Sequence, residues 1–272
     1  MAQPKKEVAK REQPRREEVE EEEEKPEKVR EARQPSEIFS RLKKGLRQLG
    51  YEKVYAEALG TFILVFVGAG SVLATSISGG VNYLTVGLAH GLALTVIIYS
   101  LSKVSGALVN PALTIALYLT GKMKLEKAAY YVVSQMAGAT LAGLVLLSIF
   151  GGIASPTLNL GVNDLRAGVS AARGTVTEAV LTFFLVFVIL AASDDKESSR
   201  AESSLMVGLV LAFGIFVGGP ITGGSLNPAR TFGPALVSGH WSNHLVYWVG
   251  PIVGAVIAAY AYMMLFRKVK EP

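Results

Sequence analysis

The sequence lacks cysteine entirely across its 272 residues. That excludes a disulfide scaffold, a thiol nucleophile, and zinc or iron–sulfur centres held by cysteine. Charge is missing over long stretches. No Asp, Glu, Lys or Arg occurs from Ala58 to Ser102, from Ala128 to Asn163, from Ser203 to Ala229, or from Thr231 to Phe266. The charge that exists is concentrated at one end, where residues 1–53 carry 28 of the 49 charged side chains. A net charge of +5 is therefore a poor argument for nucleic-acid binding, because the basic residues are offset by acidic ones or flank apolar spans. The first 50 residues also have no apolar core of the kind a secretory signal needs, so the first span is expected to serve as an uncleaved anchor.

The apolar runs decide the class. A bilayer core about 30 Å thick takes about 20 residues of helix at ~1.5 Å per residue. A soluble helix of such length would carry a polar stripe, and these do not. Six spans are expected, at 54–76, 84–103, 128–150, 174–193, 204–219 and 244–266, the fifth short and glycine-rich. Basic residues gather on one side: Arg41, Lys43, Lys44, Arg47 and Lys53, then Lys103, Lys122, Lys124 and Lys127, then Lys196 and Arg200, then Arg267, Lys268 and Lys270. Arg166 and Arg173 fall on the other. This bias places both termini in the cytoplasm. Residues 1–50 read as a charged, disordered arm, with an acidic run at 17–24. Within it, residues 36–49 can form a helix with Ile38, Phe39, Leu42, Leu46 and Leu49 on one face, suited to the membrane surface; a plain juxtamembrane linker is the alternative.

Residues 51–268 form the membrane domain, and they repeat. Ala56–Val67 matches Thr177–Val188, pairing Glu57 with Glu178 and Thr61 with Thr182 at an offset of 121. Ser105–Ala112 matches Thr222–Ala229 at an offset of 117, each ending in Asn-Pro-Ala. Three spans per repeat, in 54–150 and 174–267, force the second copy to cross in the opposite sense, an inverted repeat with its site near the midplane. After Asn110-Pro111-Ala112 and Asn227-Pro228-Ala229 come apolar pieces of about ten residues, or about 15 Å of helix, half a bilayer core. Asn is a good helix N-cap, and Pro fits the first turn. Gly106, Gly223 and Gly224 permit a re-entrant backbone, which survives at that depth only if buried or lining a wet cavity. Two half-helices are thus expected to enter from opposite faces and meet by their N-termini.

With this pair of motifs the sequence resembles the aquaporin (major intrinsic protein) family over about residues 54–267. The resemblance implies an all-α membrane protein of six transmembrane helices plus two re-entrant half-helices. It also implies a passive channel for water and small neutral solutes in the lipid bilayer, assembled as a homotetramer in the cell membrane. Gly68, Gly70, Gly138, Gly143, Gly250 and Gly254 are expected to allow close helix contact. By the same resemblance Arg230 belongs to a selectivity filter with His90, Ile215 and Gly224. That set is similar to tonoplast-type members that also pass ammonia, although residues 151–173 lack the extra histidine that such members share. Thr231 stands where glycerol facilitators of the family carry Asp, and Leu108 where many members have His.

Independently of the resemblance, converging helix N-termini repel cations, and the Asn110 and Asn227 amides can orient a central water so that a proton wire is interrupted. Glu57 and Glu178 are read as supports for the re-entrant loops rather than as catalytic carboxylates. His240 and His244 lack a third ligand, so no metal is expected, and no cofactor or nucleic acid either. A glycerol-type facilitator and an inverted-repeat secondary transporter are the alternatives; a membrane enzyme lacks any nucleophile or metal constellation. Mercuric ion acts on thiolates. Water flux in proteoliposomes should therefore be unchanged by mercuric chloride, and a rapid loss in stopped-flow light scattering would contradict the expectation.

Overall fold

The computed structural model describes residues 50–153, 156–195 and 197–266, together with Lys44 and Arg47. The expected helix at 36–49, and the basic residues Arg41, Lys43, Lys196, Arg267, Lys268 and Lys270, lie outside the described residues.

Among the described residues eight α-helices with defined bounds follow one another: α1 (Tyr51–Ile77), α2 (Tyr83–Leu101), α3 (Pro111–Leu119), α4 (Leu125–Phe150), α5 (Ala171–Asp194), α6 (Arg200–Thr222), α7 (Pro228–Ser238) and α8 (Val246–Leu265). Among the described residues, six of them, all but α3 and α7, are long and apolar enough to cross a membrane. Their starts are chemically marked. Asn82 caps α2 by accepting from the Thr85 amide, and Ser170 caps α5 through Arg173. Ser199 and Glu202 form a reciprocal capping box at α6. The fifth span is longer than the glycine content suggested. It runs 23 residues through Pro220 to Thr222 and stops at Gly223, which takes the left-handed conformation that ends helices. Glycine fails to shorten the span because Gly208 and Gly91 face each other across the α2–α6 crossing. A Cβ on either would meet the other's carbonyl oxygen, so these glycines serve close packing.

Helices α3 and α7 are 9 and 11 residues long. At ~1.5 Å per residue neither reaches much beyond half of a ~30 Å bilayer core. The packing obeys the internal repeat. Helix α1 packs on α2 and α4 as α5 packs on α6 and α8; α3 lies against α8 as α7 lies against α4; α2 meets α6, and α3 meets α7. The six glycines singled out for helix contact all meet this chain's own atoms. The plainest pair is Gly138 and Gly254: a Cβ there would lie 2.1 Å from the Ala58 carbonyl oxygen and 2.0 Å from that of Ala179. Gly68 faces the His90 ring, and Gly143 the Gly233 carbonyl of α7. Outward-facing side chains such as Leu88, Val96, Val133, Leu144, Phe213 and Ile257 are exposed and apolar, as lipid contact requires.

Because the α1–α4 contact is backbone against backbone at Ala58, Gly138→Leu leaves no flexible group to move aside. Overpacking of this kind costs about 1–3 kcal/mol. The variant should show a lowered melting temperature in detergent, and a wild-type melting curve would refute the contact.

Candidate functional site

The two re-entrant loops reach the centre of the bundle with backbone no helix can pair, so each amide needs a partner from elsewhere. Glu57, fully buried in α1, supplies them for the first loop. Its Oε1 accepts from Ser105 Oγ at 2.6 Å and Leu108 N at 3.0 Å, and its Oε2 accepts from Val109 N at 2.8 Å. Glu178 in α5 repeats this for the second, accepting from Thr222 Oγ1 at 2.6 Å, Ser225 N at 3.0 Å and Leu226 N at 2.7 Å. Two tyrosines brace the loop entrances in the same symmetric way. Tyr131 of α4 donates to Ser105 O and Tyr247 of α8 to Thr222 O, both at 2.8 Å.

The symmetry stops at Gln135, whose Nε2 donates to Glu57 Oε2 at 2.7 Å; the same place in the second repeat, at an offset of 116, is Pro251. Sequence reasoning reached Tyr247 only through the resemblance of Ala235 and Tyr247-Trp248 to water-selective members; its bracing role, Tyr131 and Gln135 did not emerge from it. The signal was there: Tyr131 and Gly138 recur as Tyr247 and Gly254, a third repeated segment at that same offset.

The loops end in Asn110 and Asn227, each an extended residue capping its half-helix, with Pro111 and Pro228 at the first helical positions. The Oδ1 of Asn110 accepts from Ala112 N at 2.9 Å, and that of Asn227 from Ala229 N at 3.0 Å. Each amide nitrogen then reaches across the midline: Asn110 Nδ2 donates to Leu226 O and Asn227 Nδ2 to Val109 O, both at 2.8 Å. Val109 and Leu226 hold φ of 43° and 54°, a left-handed conformation that costs an L-residue about 1–2 kcal/mol. An amide nitrogen carries two hydrogens. One is committed to the opposing loop, and both asparagines line one cavity.

That cavity, of about 310 Å³, runs from Ser193, Asp195 and Arg200 inward to His90 and Arg230. A second, of about 190 Å³, is lined by Tyr83, Asn163, Asp164 and Gly223. They occupy opposite ends of α2 and α6, and among the described lining residues Arg230 is common to both. Arg230 is 1% exposed. Its Nε donates to His90 Nε2 at 3.2 Å and its Nη1 donates to the Gly161 carbonyl. His90 Nδ1 pairs with Val86 O at 2.8 Å. A ring that donates from Nδ1 and accepts at Nε2 is neutral. Gly68 makes room for it, since a Cβ there would lie 2.2 Å from His90 Nε2.

Ile215 and Gly224 form a separate pair. A Cβ on Gly224 would sit 3.1 Å from Ile215 Cα, and Ile215 is buried in an apolar cluster with Leu181 and Leu226. Neither is among the described residues lining the two cavities. Leu108, Ala112 and Ala229 serve by their backbone amides or by packing. The two loop histidines do not converge: His240 pairs with Asp164, whereas His244 Nε2 accepts from Trp248 Nε1 at 3.0 Å. Burial holds the His244 pKa below the usual histidine value. Among the described residues no group of three His, Asp or Glu side chains could hold a metal.

Against known proteins, residues 46–262 match the Major intrinsic protein family. The chain belongs to that family. It is 43% identical over 220 residues to Aquaporin TIP4-4 of Zea mays, covering 78% of this chain and 86% of that one. It is 36% identical over 240 residues to Aquaporin-4 of Mus musculus, covering 82% and 72%. Among solved structures, the aquaglyceroporin from Plasmodium falciparum superposes with a TM-score of 0.70 at 25% identity, covering 80% of this chain and 96% of that one. This member of the family is accordingly an integral membrane protein with the aquaporin fold.

Each loop carboxylate accepts several bonds from buried donors, each worth about 1.5–3 kcal/mol when the acceptor is charged. Glu178→Gln turns an amide against backbone donors. It should lower thermal stability more than any conservative change on the lipid face; equal melting temperatures would show that the loop does not depend on the carboxylate.

Proposed function

We propose that this chain conducts water in single file through a lumen joining the two cavities, with Arg230 and His90 at the constriction and Asn110 and Asn227 at the centre. A channel for water and small solutes follows from family membership. Single-file conduction past Arg230 is supported by Arg230 lining both cavities.

The chemistry is that of exclusion. Each half-helix N-terminus carries about half a positive charge, and the two meet where Asn110 and Asn227 cross-bond. With the Arg230 guanidinium beyond them, cations including hydronium meet a repulsive path. A water at the centre can accept from the two free amide hydrogens and must then turn its own hydrogens outward, which breaks a proton-conducting chain. No step requires covalent chemistry, and the Glu57 and Glu178 carboxylates are occupied by loop donors. That occupancy weighs against a secondary transporter needing a free acidic site. Permeation of neutral ammonia is a further part of the reading, resting on the resemblance of His90, Ile215, Gly224 and Arg230 to tonoplast-type filters. The protein acts as a homotetramer in the cell membrane with both termini cytoplasmic, an orientation supported by the basic residues on one side.

A facilitator of small neutral solutes is the second reading, favoured by the structural likeness to an aquaglyceroporin. Against it stands Thr231, a hydroxyl donating to Asn163 Oδ1 at 2.9 Å rather than a carboxylate beside the arginine. Proteoliposome shrinkage in water, ammonia and glycerol gradients separates the two. Water flux should dominate, and glycerol flux comparable to water would overturn the ranking. Arg230→Val should raise glycerol flux about tenfold, the equivalent of ~1.4 kcal/mol of barrier; unchanged glycerol exclusion would remove Arg230 from the constriction. Asn227→Asp should lower water flux or admit cations.

A further inference from the structure

The connection between α4 and α5 crosses one end of the bundle in a costly conformation. Asn159, Leu160 and Gly161 lie in succession in the left-handed region, with φ of 45°, 56° and 73°. Such a run persists only where the surroundings over-determine it. Gly161 is required twice: by its φ, and because a Cβ would meet the Ala69 carbonyl oxygen of α1 at 2.7 Å. This turn aims the Gly161 carbonyl at Arg230 Nη1.

Two residues just downstream hold it. Asn163 Nδ2 donates to Gly223 O at 2.9 Å, and its Oδ1 accepts from Thr231 Oγ1 at 2.9 Å. Asp164 is gripped from the α7–α8 loop: His240 Nε2 lies 2.7 Å from its Oδ2, and Asn243 Nδ2 donates to its Oδ1 at 2.9 Å. The His240 and Asp164 side chains are 23% and 35% exposed, so protons reach the pair from solvent while its bonds are partly desolvated.

We infer that the Asp164–His240 pair is a pH-dependent clasp that positions the Gly161 carbonyl, and through it the Arg230 guanidinium, so that solute discrimination follows the protonation of His240. The inference rests on Arg230 forming the constriction. His240 and Asp164 are positioning residues; neither touches the filter. Histidine changes charge near neutrality, and a charge-assisted hydrogen bond is roughly twice as strong as a neutral one. At low pH the imidazolium grips the Asp164 carboxylate and the turn is held. As pH rises the ring becomes neutral and the grip slackens.

The surrounding charges leave this pair as the sensor. Asp164 faces His240 from the α4–α5 connection, which also carries the exposed Arg166. Helix α7 brings Arg230, committed to His90 and Gly161. The start of α8 brings His244, whose Nε2 is taken by Trp248.

The test uses the full chain in proteoliposomes, with water and glycerol permeabilities measured from about pH 5 to 8, the range in which histidine titrates. The water-to-glycerol ratio of the wild type should fall about threefold as pH rises, the scale of losing the charge from one hydrogen bond. His240→Gln and Asp164→Asn should give low ratios that do not change with pH. A flat wild-type profile overturns the clasp, as does a pH dependence that survives His240→Gln, which would place the sensor at His90 or His244. Should His240→Gln fail to assemble, the isosteric Asp164→Asn decides alone, and the wild-type profile decides if both fail. Arg230→Val separates the two claims. If it leaves the ratio unaltered, the constriction reading fails; if it alone alters the ratio, only the clasp fails.

Discussion

Backbone that leaves the helix in the middle of a bilayer must find every hydrogen bond inside the protein, and the rest of this structure follows from how that demand is met. Val109 and Leu226 are each pinned at both ends. The amide is taken by the glutamate of its own repeat, and the carbonyl by the asparagine of the other. The exchange is reciprocal, so neither loop reaches its conformation without its twin. The same asparagines cap the half-helices and line the cavity. Loop support and helix capping thus share one side chain, and the left-handed strain at two non-glycine residues is held by bonds that the bilayer makes unavoidable.

The inverted repeat makes this arrangement economical in residue types but does not make it uniform. Glu57 and Glu178, Tyr131 and Tyr247, Gly138 and Gly254 are twins in both sequence and role. The departures are informative. Gln135 adds a donor to Glu57 where the second repeat has Pro251. Arg230 follows the second Asn-Pro-Ala where the first is followed by Leu113, and it meets His90 from α2. A symmetric scaffold therefore carries an asymmetric arginine–histidine pair, set off from the central asparagines toward the end where α6 finishes.

Much of this was legible in the chain. Apolar length sets the number of spans, and the paired Asn-Pro-Ala segments set the half-helices, because both signals are local. The end of α6 was misjudged because glycine was weighed by its propensity, whereas Gly208 and its neighbours are used for close packing against α2. The bracing role of Tyr131 and Tyr247 is not legible in the sequence, because a tyrosine in an apolar helix reads as core or interface, and only the position of its hydroxyl shows what it braces. Gly161 could not be found from residue chemistry at all, since its contribution is a carbonyl aimed by three consecutive left-handed residues.

The Gly161 carbonyl bears on how Arg230 is held. A guanidinium in a narrow lumen needs fixed acceptors on its protein side, or it turns to bond whatever enters. Here one acceptor, His90 Nε2, comes from a transmembrane helix and is set by the Nδ1 bond to Val86. The other comes from a surface connection, whose geometry depends on Asn163, Asp164 and the loop beyond α7. One side of Arg230 is as rigid as the bundle, and the other only as rigid as a chain of polar contacts near the surface. If Arg230 forms the constriction as proposed, solute range in this protein depends both on the side chains that face the lumen and on the connection that holds the arginine.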